Sequence, residues 1–122
     1  MSLEPITCDP ELWGKHLWYT MEAIACTVNP HNRKEIQSFF ESLKTVIPCP
    51  TCQAHYCHFY DTHPIHSHLE DPIALIEWLY LLKQDIKQRQ DRPIPTFVEY
   101  MVHIIDYYQL TELYDWIERR VS

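Results

Sequence analysis

The sequence has almost no glycine: Gly14 is the single one among its 122 residues. Loops that wrap a nucleotide phosphate with main-chain N–H groups need several closely spaced glycines, because side chains would block the approach of the backbone. The Rossmann fingerprint and the P-loop are therefore both excluded. Any nucleotide bound by this chain must be held by side chains and helices.

Positive charge and long apolar runs are also scarce. The formal net charge is −7, and a surface of that sign repels phosphate backbones, so we expect no nucleic-acid partner. No stretch has the length and hydrophobicity of a membrane span, and the first ten residues lack the basic and apolar parts of a secretory signal. We therefore expect neither membrane attachment nor secretion, which leaves the cytosol as the default compartment.

The hydrophobic pattern of the chain is helical. Apolar residues recur every three to four positions in successive segments, and no alternating strand pattern of useful length occurs. The sequence predicts an all-α helical bundle in which residues 1–8 are a short flexible tail and residues 9–122 form a single domain. A last short helix, about 112–120, is expected to add Leu113, Trp116 and Ile117 to the core.

Four predicted helix starts carry capping residues. An aspartate followed by proline combines an N-cap carboxylate with proline at the first helical position, and Asn or Thr three residues before Glu has the spacing of a capping box. These pairs are Asp9–Pro10, Asn32–Glu35, Asp71–Pro72 and Thr96–Glu99. They divide the helical pattern into separate segments.

The most specific motif is Pro48-Cys49-Pro50-Thr51-Cys52, which lies between two helical patterns and places its cysteines at a helix start. The free N–H groups of a first helical turn and the helix dipole favour a thiolate, so the pKa of a thiol falls there. Proline fits the first turn because its missing N–H has no intrahelical partner. A dithiol on one helical turn can close a readily reduced disulfide, which suits it to thiol–disulfide exchange.

Zinc binding is the competing interpretation of the same motif. Cys2His2 and Cys3His sets are typical of structural zinc, and five histidines and Cys57 follow within sixteen residues. The histidines are His55, His58, His63, His66 and His68. They contain no clean ligand pair at the usual spacing, and the local sequence leaves redox chemistry and zinc binding both open.

Three features then occur in a characteristic order: Trp13-Gly14-x-x-x-Trp18 on the first helix, the CxxC motif with His55 three positions later, and Trp78-Leu79 on the fourth helix. In this order the chain resembles the Erv/ALR family of FAD-linked sulfhydryl oxidases, including small single-domain members encoded by large DNA viruses. The resemblance covers roughly residues 12–93. It implies a four-helix bundle that binds FAD, completed by one or two short helices, with the redox disulfide beside the flavin ring.

Carried over position by position, the resemblance assigns FAD contacts to twelve residues. They are Trp13, Gly14, Lys15, Trp18, Glu22, His55, Trp78, Lys83, Gln84, Ile86, Lys87 and Arg92. Glu22 stands where the family has a histidine, and Lys83, Gln84 and Lys87 stand where it has a histidine and two asparagines. The implied consequence is altered contacts, in which Lys83, Lys87 and Arg92 meet the phosphates of FAD.

The same residues have ordinary interpretations if no flavin binds. The three tryptophans are then core residues, because apolar stripes on helices usually face the core. The two lysines and Arg92 are then a solvated helix end, and Glu22 is a surface residue. Cys26 and Cys57 are interpreted as buried apolar side chains, and Cys8 either as a free thiol or as a link between two subunits.

The resemblance also implies a reaction. A substrate dithiol attacks the Cys49–Cys52 disulfide, and electrons pass through FAD to dioxygen, giving hydrogen peroxide. Cys49, at the exposed start of the helix, is the expected sulfur of attack, and Cys52, one turn deeper, is expected to face the flavin. The implied partners are proteins with paired cysteines, such as a CxxC-type dithiol carrier, and a second copy of the chain in a homodimer.

A viral member would act in the host cytoplasm or in the virion. Two alternatives to this enzyme are a zinc-binding helical interaction module and an oxidase-like protein without FAD.

Overall fold

The computed structural model describes residue 4 and residues 6–121, with side chains at all of these positions except 116, 120 and 121. Within them the chain forms six α-helices and no strand. The helices are α1 Pro10–Ala25, α2 Arg33–Val46, α3 Pro50–Thr62, α4 Pro72–Arg89, α5 Phe97–Tyr108 and α6 Tyr114–Val121, with 3₁₀ turns at Ile65–His68 and Thr111–Leu113. The prediction of an all-α fold is confirmed, whereas the predicted core role of Trp116 lies outside the described side chains.

Three of the four predicted helix caps form as expected. The carboxylates of Asp9 and Asp71 accept hydrogen bonds from first-turn N–H groups at 3.0 and 2.8 Å, and Thr96 with Glu99 makes a complete capping box. The prediction for Asn32 was wrong. Its side-chain oxygen accepts instead from the N–H of Asn29 at 2.8 Å, so it stabilises the turn between α1 and α2 and does not cap α2.

The core is centred on Trp78 in α4, which is fully buried. Its ring meets the edges or faces of Phe40 from α2 and Phe59 from α3, with ring centroids 5.4 and 5.3 Å apart. Its indole N–H donates to the carbonyl of His63 at 2.9 Å, so the polar atom is satisfied inside the core. This packing joins α2, α3 and α4 around one aromatic side chain.

The helices α1 and α4 run antiparallel. Arg33, the first residue of α2, donates to the carbonyls of Leu69 and Glu70 just before α4, at 2.8 and 3.1 Å. The end of α1 and the start of α4 therefore lie at one end of the bundle. Near mid-length the Lys83 ammonium of α4 lies over the Trp18 ring of α1, 4.7 Å from its centroid.

The opposite end of the bundle holds the start of α1, the start of α3 and the end of α4. The start of α3 is located there because the N–H of Cys8, two residues before α1, donates to the carbonyl of Pro48 at 2.9 Å. We call this region the dithiol end, since Cys49 and Cys52 lie in it. Among the helices of residues 6–121, none combines the length and hydrophobicity needed to cross a membrane.

Candidate dithiol site

Cys49 is the N-cap residue of α3, and Cys52 lies in the first turn of the same helix. The sulfur of Cys49 accepts the N–H of Cys52 at 3.3 Å, in the way a serine or aspartate oxygen caps a helix. Both cysteines are present as free thiols. The CxxC motif therefore places a thiol where a helix start supplies a hydrogen-bond donor to it.

The two thiols differ in acidity. The pKa of Cys49 is lowered, first by a hydrogen bond from the Cys52 thiol and then by main-chain N–H groups of Cys52 and Thr51. The pKa of Cys52 is raised to about 11, first by burial and then by donating that hydrogen bond to Cys49. Cys49 is thus the more acidic thiol of the pair, as the helix-start position predicted, whereas the same prediction was wrong for Cys52, because burial outweighs the helix start there.

The expected order of exposure was wrong. Cys49 is only 7% exposed, whereas Cys52 is half-buried. The segment before α1 lies alongside the residue preceding Cys49, held by the bond from Cys8 to Pro48 and by a second bond from the Trp13 indole N–H to the Cys8 carbonyl at 2.9 Å. A helix start is exposed only when no other segment crosses it. Here the N-terminal segment crosses the start of α3 at Pro48.

An apolar groove adjoins the dithiol. It has a volume of about 330 Å³ and lies between α1 and α2, with the segment before Cys49 at one side. Its lining residues are Trp13, His16, Leu17, Thr20, Leu43, Val46, Ile47 and Pro48. Two large apolar side chains on these helices face solvent, Leu12 at 75% and Val46 at 60% exposure. The groove brings Trp13, a predicted FAD residue, next to the CxxC segment.

Other predicted FAD residues gather on the antiparallel pair of α1 and α4. Because Trp18 meets Lys83, the residues one turn toward the dithiol end on each helix, Gly14 and Lys87, lie at the same level. A Cβ atom at Gly14 would meet no other atom within 4 Å, so the space over α1 is open there. The N–H of Arg92 donates to the carbonyl of Lys87 at 2.9 Å, which keeps Arg92 near the end of α4.

These residues suit FAD in their chemistry. A diphosphate requires cations, which Lys83, Lys87 and Arg92 provide, and within residues 6–121 neither Lys87 nor Arg92 forms an ion pair. A flavin ring requires apolar and aromatic surface beside the redox sulfur. Trp13 and Trp18, both half-buried, offer such surface on the helix that carries the open space at Gly14.

The remaining predicted contacts are distributed along α1, α3 and α4. Lys15 and His55 are exposed, and Gln84 and Ile86 are half-buried. Trp78 has no exposed surface. In the structure Trp78 lies in the core, as described above, and its contact with FAD stays a prediction.

Lys83 is the most constrained of the cations. Its ammonium lies over two aromatic rings, 4.7 Å from the Trp18 ring centroid and 5.4 Å from that of Tyr100. Burial lowers its pKa, and the charge of Glu22 opposes that shift. The alternative of a purely solvated helix end is therefore wrong for Lys83.

Glu22 is the predicted site residue whose environment the sequence did not reveal. It is 3% exposed, and its carboxylate accepts the hydroxyl of Tyr100 at 2.6 Å and that of Tyr108 at 3.0 Å. Burial, followed by the Glu22 charge, raises the pKa of both phenols. The interpretation as a surface residue was wrong, because α5 packs two phenol donors against this position; we call the three residues the glutamate cluster.

The helical spacing of Tyr100 and Tyr108 predicts only that both lie on the apolar face of α5. The available signal was that a tyrosine on a buried face needs a partner for its hydroxyl. That signal predicts the existence of an acceptor without identifying it.

The zinc alternative requires at least one further ligand beside the two cysteines. In the part of the chain that the structure describes, no group of three or more His, Cys, Asp or Glu side chains is arranged to hold a metal ion. His55 and His58 are both exposed on α3. The site therefore has the geometry of a dithiol at a helix start.

The site is thus that of a helical bundle with a CxxC dithiol at the start of its third helix. The chain is 33% identical over 54 residues to a protein of Invertebrate iridescent virus 3 named "Putative FAD-linked sulfhydryl oxidase 096R". The aligned stretch is 41% of this chain and 36% of that protein, so the chain matches about a third of the relative's length. No family model matches the chain, and no solved structure matches it significantly. This distant sequence similarity confirms the resemblance to FAD-linked sulfhydryl oxidases.

Proposed function

We propose that the protein is an FAD-dependent sulfhydryl oxidase that forms disulfide bonds in partner proteins, transferring electrons to dioxygen and producing hydrogen peroxide. The observation that carries this proposal is the Cys49–Cys52 dithiol, in which Cys49 is stabilised as a thiolate by the start of α3. The sequence similarity to a viral protein named as such an oxidase supports it.

The thiol steps follow from the two cysteines. In the oxidised protein a substrate thiolate attacks one sulfur of the Cys49–Cys52 disulfide, and the other cysteine leaves as a thiolate. The second substrate thiol then attacks the mixed disulfide, so the substrate leaves as a disulfide and both cysteines are reduced. Because its pKa is lowered, Cys49 is the more acidic thiol of the reduced pair. FAD, when bound, supplies the reoxidation of the dithiol.

FAD would be held by residues of α1 and α4. Lys83, Lys87 and Arg92 would meet its phosphates, and Trp13 and Trp18 would offer aromatic surface near the open space at Gly14. Cations contribute here because the chain has no glycine-rich loop to bind phosphate with main-chain N–H groups.

The proposed electron donors are proteins with paired cysteines, such as a CxxC-type dithiol carrier. A homodimer is proposed as well. Val46, which lines the apolar groove, and Leu12 of α1 are both exposed and support an interface formed by α1 and α2, since exposed apolar surface on a small protein is typical of interaction sites. Sedimentation at several protein concentrations measures this directly.

Cofactor content tests the oxidase proposal most directly. We expect the purified protein to be yellow and to release FAD on denaturation, with about one FAD per chain, as expected for a dedicated cofactor site. A colourless protein that takes up no added FAD would contradict the oxidase. It would leave the cofactor-free, oxidase-like binding protein.

The same measurement tests the cations. Lys83→Ala with Lys87→Ala is expected to weaken FAD binding, more strongly at low salt, because charge interactions are screened as ionic strength rises. The matched control is Lys34→Ala, which removes an exposed lysine of α2. Equal FAD affinity in the double variant and in the control would show that Lys83 and Lys87 do not bind the phosphates of FAD.

A further inference from the structure

Tyr100 of α5 contacts both Glu22 of α1 and Lys83 of α4. Its hydroxyl donates to the Glu22 carboxylate at 2.6 Å, and its ring centroid lies 5.4 Å from the Lys83 ammonium. Within residues 6–121 Glu22 and Lys83 form no direct ion pair with each other. One side chain of α5 therefore connects a buried carboxylate to a cation of α4.

The second aromatic contact of Lys83 comes from the helix that carries Glu22. The Lys83 ammonium lies 4.7 Å from the ring centroid of Trp18, and Glu22 follows Trp18 by four residues in α1. Residues four apart lie on the same face of a helix. Lys83 is thus held by one ring from α1 and one from α5, and a carboxylate is hydrogen-bonded to the second of these rings.

The negative charge of Glu22 acts on Lys83. The two carboxylate oxygens accept the hydroxyls of Tyr100 and Tyr108, and the raised pKa of each phenol keeps both donors neutral. Neutral donors stabilise a buried carboxylate without cancelling its charge. Burial lowers the pKa of Lys83, and the charge of Glu22 opposes that shift. The glutamate cluster therefore favours a charged ammonium at a half-buried position.

We propose that Glu22 and Tyr100 are positioning residues of the cofactor site, which hold the Lys83 ammonium charged and fixed against Trp18 for the phosphates of FAD. This inference rests on the proposed FAD-dependent function. Glu22 and Tyr100 are each 3% exposed, so they act on a ligand through Lys83. The family resemblance ends near residue 93, and α5 therefore supplies a site residue that the resemblance does not assign.

Such positioning strengthens the binding of an anionic ligand. A lysine side chain has a flexible stem, and fixing that stem when a ligand binds costs conformational entropy. An ammonium that is already held by two rings loses this freedom during folding, so less is lost on binding. This matters in a chain whose single glycine leaves phosphate binding to a few cations.

The acylation of Lys83 as a function of pH tests the positioning without any cofactor. The titratable groups around Lys83 are Glu22 of α1, Lys87 of α4 and Tyr100 of α5. Acetic anhydride reacts with the neutral amine, and peptide mass spectrometry follows each lysine separately. In Glu22→Gln the pKa of Lys83 is expected to fall, so its acylation should begin at lower pH, whereas the exposed Lys34 should keep its profile. A Lys83 profile that is unchanged, or moved to higher pH as in an unfolded chain, would overturn the proposal.

A double-mutant cycle tests whether Glu22 acts through Lys83. Coulomb's law alone predicts that removing the charge of Glu22 tightens the binding of an anionic ligand. The proposal predicts the opposite: Glu22→Gln should weaken FAD binding about tenfold, the effect of one hydrogen bond to a charged group. In the Lys83→Ala background the same substitution should have no further effect on FAD affinity. Tighter binding in Glu22→Gln, or an equal loss in both backgrounds, would overturn the proposal.

Two substitutions at Tyr100 separate the role of its ring from that of its hydroxyl. Tyr100→Phe and Tyr100→Leu both lose the bond to Glu22, but only phenylalanine keeps a ring beside Lys83. FAD binding is expected to be about threefold weaker in Tyr100→Leu than in Tyr100→Phe, the effect of one cation–π contact. Equal affinities would overturn the role of Tyr100. If the wild-type protein binds no FAD, the oxidase function itself fails, while the acylation profile still decides whether Glu22 holds the charge of Lys83.

Discussion

The dithiol end and the glutamate cluster each hold ionisable groups among apolar helices, but they stabilise them in different ways. Cys49 receives hydrogen bonds from residues that follow it directly in α3. Glu22 of α1 receives its hydrogen bonds from Tyr100 and Tyr108, on a helix more than seventy residues away. The first site depends on one helical turn, whereas the second depends on the packing of α5 against α1.

This difference teaches where the molecule is adapted for reaction and where for stability. The main-chain N–H donors of a single helical turn remain in place when Cys49 changes its charge or its covalent partner, and the half-buried Cys52 leaves a route to the pair. The glutamate cluster is closed, and each of its hydrogen bonds joins two helices. A buried carboxylate that loses such a donor is destabilised strongly.

The largest expected effect comes from breaking the dithiol. Cys49→Ser and Cys52→Ser should each abolish oxidation of dithiothreitol, because neither variant can form the Cys49–Cys52 disulfide, while the free energy of unfolding changes by only about 1 kcal/mol. Oxygen consumption and thermal unfolding measure the two effects. Cys57→Ser is the matched control on the same helix. Retained turnover in either variant would show that the CxxC is not the redox centre.

Breaking the glutamate cluster should lower the stability of the protein and leave the dithiol chemistry intact. Tyr100→Phe removes the 2.6 Å hydrogen bond to Glu22 and is expected to destabilise the protein by about 2 kcal/mol, as for a buried bond to a charged group. Denaturant unfolding measures the change. Dithiol reactivity should be unaffected.

Tyr114→Phe is the control for this prediction, because the Tyr114 hydroxyl donates to Asp106 at 2.8 Å on the exposed surface. An exposed bond of this kind is expected to cost a few tenths of a kcal/mol or less. If the two variants lose equal stability, the closed environment of Glu22 is not important for the fold.

The smallest expected effect sharpens the description of the dithiol. Cys52→Ala removes the thiol that donates to Cys49, so the pKa of Cys49 should rise and its alkylation by iodoacetamide should begin at higher pH. Cys52→Ser keeps a hydroxyl donor and should shift the profile less. Rates followed at Cys49 by mass spectrometry distinguish the two variants. Superimposable profiles would mean that the main-chain N–H groups alone stabilise the thiolate.

Most of the helical organisation could be predicted from the sequence because its causes are local. Asp9, Asp71 and the Thr96–Glu99 box cap the helices that they were expected to cap, and the CxxC motif begins α3. The lowered pKa of Cys49 follows from that position. In each case the donor and the acceptor are within four residues of each other, so their spacing in the sequence already determines their geometry.

The tertiary structure alone decided which of these groups are accessible and which are joined. Cys49 is covered and Cys8 is brought to it by a hydrogen bond to Pro48 across some forty residues, and Glu22 is enclosed by phenols from α5. Periodicity predicts that a face is buried, but it contains no information about which distant segment will cover it. That choice depends on how the helices pack, and so a glutamate expected at the surface became the centre of a closed cluster.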